Sequence, residues 1–315
     1  MIVDNLNYFV TVIEQKSITK AAKLGHISQS GLTQIIKKIE DDLGCDLLLR
    51  SNKGIEPTEC GLLVYEYAKK MIDLDDSMKQ RLTCMLDGCF SIVVKPCCSL
   101  DNSLIPSILF NMQNKYANIK MNVEQEDKDK IFSEVKSGVT DFGILMGEIT
   151  ESDEIDSITV GMETIVLVAG NQLIKENMIT IEDLPNYKII DFSLGSYAKE
   201  VHAILSKHVF GHKDKKTYVP FFSIDSIPAI KSLIENNFGI SFLPLYSIQE
   251  ELRAGKFKVV ELDDFHLSLP IRILSKKDDH LFPDLQNIKK YFVNSALKYF
   301  KEFKVANSEY YNANK

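Results

Sequence analysis

The side chains in this chain whose types and spacing could do chemistry begin at Ser28, where Gln29, Ser30, Thr33 and Gln34 follow as short polar groups and Lys37 and Lys38 come one turn later. On a helix starting at Ser28 these groups lie near the N-terminus on one side, while Leu32, Ile36 (or Ile35) and Ile39 fall on the other. Amides and hydroxyls there can read base edges in a major groove, and the lysines can sit against phosphates. Arg50 and Lys53 flank the tip of a short hairpin pattern and could add contacts along the backbone or in the minor groove.

Catalytic chemistry has little to work with. The six histidines, His26, His202, His208, His212, His266 and His280, show no metal-ligand grouping, and no nucleophile elbow or phosphate loop appears. No catalytic residue, metal site or cofactor is therefore assigned. Glu124-Gln125-Glu126-Asp127 reads as a charged strand end more readily than as an acid/base pair. The six cysteines lack paired ligand spacing and fit reduced thiols. Adjacent Cys97 and Cys98 could sense oxidants, hold a soft metal or fill space, and packing is the favoured reading because free cysteine behaves as a small hydrophobe.

The elements that must position Gln29 and its neighbours can be read from the same stretch. Leu6, Phe9, Val10 and Ile13 recur at three- and four-residue spacing, which predicts a helix ending before Lys16. Ser17 then sits where an N-cap belongs, ahead of a short helix Ile18 to Leu24 in which Ala21 and Ala22 permit close approach. Gly25-His26-Ile27 makes the turn into Ser28, a second cap. After Gly44, Leu47-Leu48-Leu49-Arg50 and Ile55-Glu56-Pro57-Thr58 flank Ser51-Asn52-Lys53-Gly54 as a small hairpin.

Together these residues resemble the N-terminal domain of LysR-type transcriptional regulators. The resemblance rests on Ser17-Ile18-Thr19 before Ala21-Ala22 and Leu24, then Ser28-Gln29-Ser30, Leu32-Thr33, Ile39-Glu40, Leu43-Gly44, Leu47-Leu48 with Arg50, and Pro57-Thr58 before Gly61. The chain departs from the pattern at Ile35, where members carry a polar or small residue, at Leu48, where Phe is common, and at Cys60, where Ala is common. The resemblance implies a winged helix-turn-helix over residues 1–58 that binds double-stranded promoter DNA.

Charge must then be placed locally, because residues 1–58 carry seven cations against seven anions. Lys20, Lys37, Lys38, Arg50 and Lys53 on one side, with Asp41, Asp42 and Asp46 on another, would make a dipolar module able to bind phosphate. The 315 residues carry a net charge of −7, as expected of a large acidic part riding on a small DNA-binding one. No apolar run reaches the ~18 residues of a membrane span and the N-terminus reads as an amphipathic helix, so a cytoplasmic protein without membrane contact is expected.

From Thr58 to Asp87 runs one proline-free helical pattern, capped by Thr58. Ala68, Met71, Met78, Leu82 and Met85, with Asp75 interrupting, follow coiled-coil spacing and predict a linker helix at 59–87 that pairs with a second copy or packs on the chain's own C-terminal part. The family resemblance favours the pair: a homodimer, and beyond it a tetramer, reading an inverted repeat.

Beyond Phe90 the pattern alternates strand and helix, predicting an α/β domain with a parallel sheet over 88–306 and a polar, loose tail over 307–315. The strands Ser91–Val94, Ile119–Val123 and Phe142–Leu145 suggest one lobe. Thr164–Val168, Lys188–Ile190, Thr217–Ser223 and Gly239–Pro244 suggest a second, and Pro270–Leu274 with a helix near Phe282 to Phe303 returns to the first. The expected division is lobe I at about 88–162 and 267–306, and lobe II at about 163–266. Asp141-Phe142-Gly143-Ile144 and Asn237 to Pro244 resemble the family's effector-binding domain, which is similar to periplasmic solute-binding proteins.

Ligands of such sheets bind beyond the carboxyl ends of the strands. That nominates Pro96, Cys97, Cys98 and Ser99, then Gln125 and Glu126, Gly195 and Ser196, and Ser223, Asp225 and Ser226 as effector contacts. Helix-start amides suit an anion, whereas Glu126 and Asp225 suit an amine; helix capping is the rival role for the serines and Asp225. The resemblance implies a regulator whose promoter binding or DNA bending is modulated by a small-molecule effector in the interlobe cleft, with RNA polymerase as a further partner. The alternative is a two-lobed receptor or enzyme that uses its N-terminal module only for assembly.

Overall fold

The computed structural model describes residues 2–51, 54–97, 104–193, 195–209, 220–263, 266–277 and 283–313. It divides into two compact units, Met1–Cys89 and Phe90–Lys315.

The first unit opens with three helices, α1 (Ile2–Gln15), α2 (Ile18–Leu24) and α3 (Gln29–Leu43). Ser17 Oγ accepts from the Lys20 amide at 3.3 Å and Ser28 Oγ from the Gly31 amide at 3.0 Å, so both predicted caps form. Lys16 (φ 49°) and His26 (φ 52°) take left-handed backbone at the two turns, and Gly44 (φ 71°) ends α3 in the same region, where glycine pays no steric penalty. Phe9, Val12, Leu32, Ile36 and Leu47 are fully buried together, each worth about 1.5–3 kcal/mol relative to exposure. Val12, rather than Ile13, completes the inner face of α1, and Ile36, rather than Ile35, that of α3.

Strands β1 (Leu48–Ser51) and β2 (Gly54–Pro57) pair antiparallel, with Leu48 opposite Pro57. Thr58 caps α4 (Glu59–Leu86), its Oγ1 accepting from the Gly61 amide at 2.9 Å. Ala68 is spent inside the unit, buried against Leu6 and Val10 of α1, and so leaves the seam predicted for α4.

The second unit contains β3 (Phe90–Pro96), α5 (Leu104–Lys115), β4 (Ile119–Val123), α6 (Lys128–Ser137), β5 (Phe142–Met146), β6 (Ile155–Gly170), β7 (Met178–Ile179), β8 (Ile190–Phe192), α7 (Gly195–Val209), β9 (Phe222–Ile224), α8 (Ile227–Glu235), β10 (Ile240–Pro244), α9 (Gln249–Arg253), β11 (Phe257–Leu262), β12 (Leu267–Lys276) and α10 (Pro283–Ala313). Strands β4, β3 and β5 are parallel neighbours. The sheet as a whole is mixed, not parallel as expected. The order β4-β3-β5-β12-β6-β11-β7 runs through both lobes, with β10 also paired to β6, and β12 is antiparallel to both β5 and β6.

The reason lies in the two crossings between lobes. They are β6 and β12 themselves, paired from Ile155 opposite Lys276 to Ile165 opposite Leu267, so each satisfies the other's backbone across the hinge. Only the second half of β6 shows an apolar run; Ser157, Ile158, Thr159 and Met162 are exposed. Helix α10 returns to lobe I, where Phe292 stacks on Phe142 at 4.3 Å. Its backbone stays helical to Ala313, through residues 307–313 where a loose tail is expected.

Candidate nucleic-acid interface and effector cleft

In the first unit, α2 and α3 form a helix-turn-helix whose exposed start carries Ser28, Gln29, Ser30 and Gln34, with Thr33 half-buried and Lys37 and Lys38 exposed further along. Part of this polarity is already spent. Ser28 Oγ is within 3.1 Å of Ser30 Oγ as well as capping the helix. Thr33 Oγ1 donates to the Gln29 carbonyl at 2.9 Å, keeping its lone pairs free to accept. Gln29 Oε1 accepts from Thr19 Oγ1 of α2 at 3.3 Å, which fixes the amide and leaves its NH₂ as the donor side. The half-buried Ile35 packs on the unit's core, so it does not break the polar face.

The hairpin β1-β2 supplies the wing. The backbone of Arg50 pairs with Ile55, while the Arg50 side chain and all of Lys53 lie outside what is described. Two features hold the wing against α3 and α4. Glu40 Oε1 of α3 accepts from the Leu47 and Leu48 amides at 2.8 and 3.2 Å. The backbone at Gly61 approaches Leu47 so closely that a Cβ there would lie 2.0 Å from its carbonyl oxygen.

In the second unit the described residues among those nominated lie at strand carboxyl ends and helix starts. Pro96 ends β3 and Cys97 follows it, and the Glu126 amide donates to the Pro96 carbonyl at 3.1 Å. The Cys97 thiol is buried and accepts from the Met146 amide at 3.3 Å, a packing role. Cys98 and Ser99 lie outside the described residues, and Gln125 is exposed. Burial opposes the charge of Glu126, but hydrogen bonds from Lys130 and the Asp127 amide, with the charges of Lys130 and Lys95, outweigh it and hold the carboxyl below its usual range.

In lobe II, β8 and β9 are parallel and the Ser193 amide donates to the Ile224 carbonyl at 2.9 Å, which brings the start of α7 at Gly195 and Ser196 beside the end of β9. Ser223 and Asp225 are exposed there, while Ser226 caps α8 by accepting from the Ala229 amide at 3.4 Å. Thus Ser226 takes the capping role, and Glu126 is tied to Lys130.

Groups that the sequence leaves unremarked join the lobes. Glu200 of α7 accepts from Lys128 of α6 at 3.0 Å and from the Glu148 amide at 3.1 Å, and Lys128 also donates to the Glu148 carbonyl. Gly147 (φ 93°) makes room: a Cβ there would lie 2.3 Å from Glu200 Oε2. On the crossing strand β6, Glu163 is almost completely buried, its Oε1 accepting from the Tyr246 amide at 3.1 Å. Burial pushes its carboxyl up to about 8 against the backbone amides of Tyr246, Leu245 and Thr164, so it is largely protonated at neutral pH. A surface cavity of 710 Å³, lined by Phe90, Tyr116, Ile119 and Tyr291 among others, lies at the amino ends of β3 and β4 and holds none of the nominated residues. Its position is the wrong end of the strands for an α/β ligand site.

Among the described residues no group of three or more His, Cys, Asp and Glu could hold a metal ion, and no helix is long and apolar enough to cross a membrane. Residues 3–62 match the family described as bacterial regulatory helix-turn-helix protein, lysR family, and residues 92–296 match the LysR substrate binding domain. The HTH-type transcriptional regulator CysL of Bacillus subtilis (strain 168) is 26% identical over 273 residues, covering 85% of this chain and 88% of that protein. A probable RuBisCO transcriptional regulator of Cyanidium caldarium is 24% identical over 278 residues, covering 86% and 87%. The crystal structure of CbnR, a LysR family transcriptional regulator, agrees in fold with a TM-score of 0.71 at 20% identity, over 94% of this chain and 99% of that one. Full-length CbnR complexed with its target DNA gives 0.68 at 20% identity, over 93% and 99%. With the two family domains matched in order over most of its length, the chain belongs to the LysR family of helix-turn-helix transcriptional regulators.

Proposed function

We propose that this regulator binds double-stranded promoter DNA in the cytoplasm through α3 and the β1-β2 wing, and that a small molecule held between the lobes of the second unit sets how it does so. The observation that carries the DNA reading is the start of α3: Ser28, Gln29, Ser30 and Gln34 are exposed together beside α2, with Lys37 and Lys38 next on the same helix. Gln29 and Gln34 are the base readers in this reading; Lys37, Lys38, Arg50 and Lys53 neutralise phosphate.

The assembly is a dimer through α4, and a tetramer built from it. Met71, Met78, Leu82 and Met85 are 50–60% exposed along one helix, an apolar face that a second copy would bury. The effector contacts are Pro96, Cys98 and Ser99 with Gln125 and Glu126 from lobe I, and Gly195, Ser196, Ser223 and Asp225 from lobe II, Cys97 being occupied in packing and Ser226 in capping α8. With Glu126 paired to Lys130, the amides at strand ends and helix starts favour a ligand bearing a negative group. Differential affinity for open and closed lobes would change the spacing of the DNA-binding pairs, DNA bending and contact with RNA polymerase.

The test is a footprint of the full chain on DNA flanking its own gene at physiological salt, with Gln34→Ala beside it. Protection of an inverted repeat that the variant loses is expected; protection of no site, at concentrations where the protein is folded and dimeric, would overturn the reading.

A further inference from the structure

Cys60, the position at which the chain departs from its family's common Ala, opens the first turn of α4. Cys45, which follows the Gly44 cap at the end of α3, has the Cys60 thiol as an electrostatic neighbour. Three observations place the two together. The β1-β2 ladder pairs Leu48 with Pro57, and the Thr58 amide continues it to the Leu47 carbonyl at 3.0 Å, so the chain just after Cys45 runs beside the chain just before Cys60. Thr58 Oγ1 donates to the Asp46 carbonyl at 2.8 Å, and the side-chain-free Gly61 lets the α4 turn close on Leu47. Both thiols are free; Cys60 is exposed and Cys45 half-buried.

We propose that Cys45 and Cys60 are a peroxide-oxidisable dithiol whose disulfide ties the end of the recognition helix to the first turn of the linker helix. A disulfide needs Cβ atoms about 3.5–4.5 Å apart, a separation set by the backbone, which the Thr58 bonds to Asp46 and Leu47 hold close here; rotation about χ1 then turns the two sulfurs toward each other. Cys60, open to solvent, is the residue the oxidant meets. Its thiolate attacks one oxygen of hydrogen peroxide, the O–O bond breaks, and the departing hydroxide leaves as water with the thiol's proton, giving Cys60–SOH. The Cys45 sulfur then attacks the Cys60 sulfur as its own proton leaves; the S–O bond breaks and a second water departs. Two thiols lose two electrons and two protons, and one peroxide becomes two waters. Burial, the hydrogen bond with Cys60 and the carboxylates of Asp46 and Glu40 all raise the Cys45 thiol, which suits it to the second, resolving step rather than the first.

The test uses the full chain, reduced and then exposed to hydrogen peroxide, blocked by alkylation and digested with trypsin. The peptides 39–50 and 54–69 each carry a single cysteine, so the disulfide gives one diagnostic cross-linked pair. That pair, lost on treatment with dithiothreitol, is the expected result, together with dimedone labelling of Cys60 in Cys45→Ser. Recovery of both peptides alkylated at every peroxide concentration that oxidises other cysteines, or their cross-linking to other cysteines instead, would overturn the proposal. Dimedone labelling of Cys45 in Cys60→Ser, with no labelling of Cys60 in Cys45→Ser, would overturn the assigned order.

Discussion

Glu200 and Lys128 meet at 3.0 Å across the two lobes of the effector domain, the carboxylate of one lobe's helix seated on Lys128, Gly147 and Glu148 of the other. Both side chains are largely shielded, so the contact acts as a latch between lobes rather than as a screened surface pair. Glu200→Gln keeps the shape and removes the charge. It is expected to cost about 1.5–3 kcal/mol in urea unfolding and to speed hydrogen exchange at the Glu148 amide. Unchanged exchange at that amide would mean the latch holds nothing.

Glu163 gives the second unit a pH dependence of unusual sign for a carboxylate. Its folded value of about 8 stands above the usual 4.5, so the native state holds a proton that the unfolded chain has released, and stability falls as pH rises from about 4.5 to about 8. Glu163→Gln is expected to flatten that slope and to stabilise the protein above pH 8, by up to about 5 kcal/mol. Thermal unfolding of the two proteins between pH 5 and 9 checks this, and parallel curves would refute it.

Lys95 of β3 and Glu134 of α6 form a buried ion pair at 2.7 Å, with Thr140 Oγ1 donating to the same carboxylate at 2.8 Å. Removing one partner strands a charge in the core of lobe I. Glu134→Ala is expected to lose about 3–5 kcal/mol in urea, while Lys95→Met with Glu134→Leu comes close to the parent. A single variant as stable as the parent would contradict the pairing.

Gly61 is where the wing, α4 and the close approach to Leu47 meet, and the atom in the way of a side chain is backbone. Gly61→Ala is therefore expected to cost about 1–3 kcal/mol and to lower the melting temperature of the first unit, despite the better helix propensity of alanine. A gain in stability would show that the helix can move away freely.

Much of the first unit was legible because its signals are local: Ser17, Ser28 and Thr58 announce helix starts through their own hydroxyls, and Gly44 announces a stop. In the second unit the first half of β6 was not, since its exposed Ser157, Ile158 and Thr159 present no apolar run and the strand exists by pairing with β12, over a hundred residues away. Strand β11 and its parallel partner β7 depend on each other in the same non-local way. At the candidate site, Lys128 and Glu200 look like solvated helix charges until the fold brings α6 and α7 together. Glu163 is invisible for the opposite reason: nothing beside it in sequence says that Tyr246 will supply its hydrogen bond.

The most direct measurement is the salt dependence of binding to the footprinted repeat, by anisotropy, for the parent chain, Lys37→Ala and Gln34→Ala. The parent is expected to lose affinity steeply with salt. Lys37→Ala should reduce the log–log slope by about 0.9 while weakening all sequences alike, and Gln34→Ala should keep the slope but lose about 1–3 kcal/mol of preference for the repeat. A flat salt response, or a Gln34→Ala variant that still prefers the repeat as the parent does, would contradict recognition through α3.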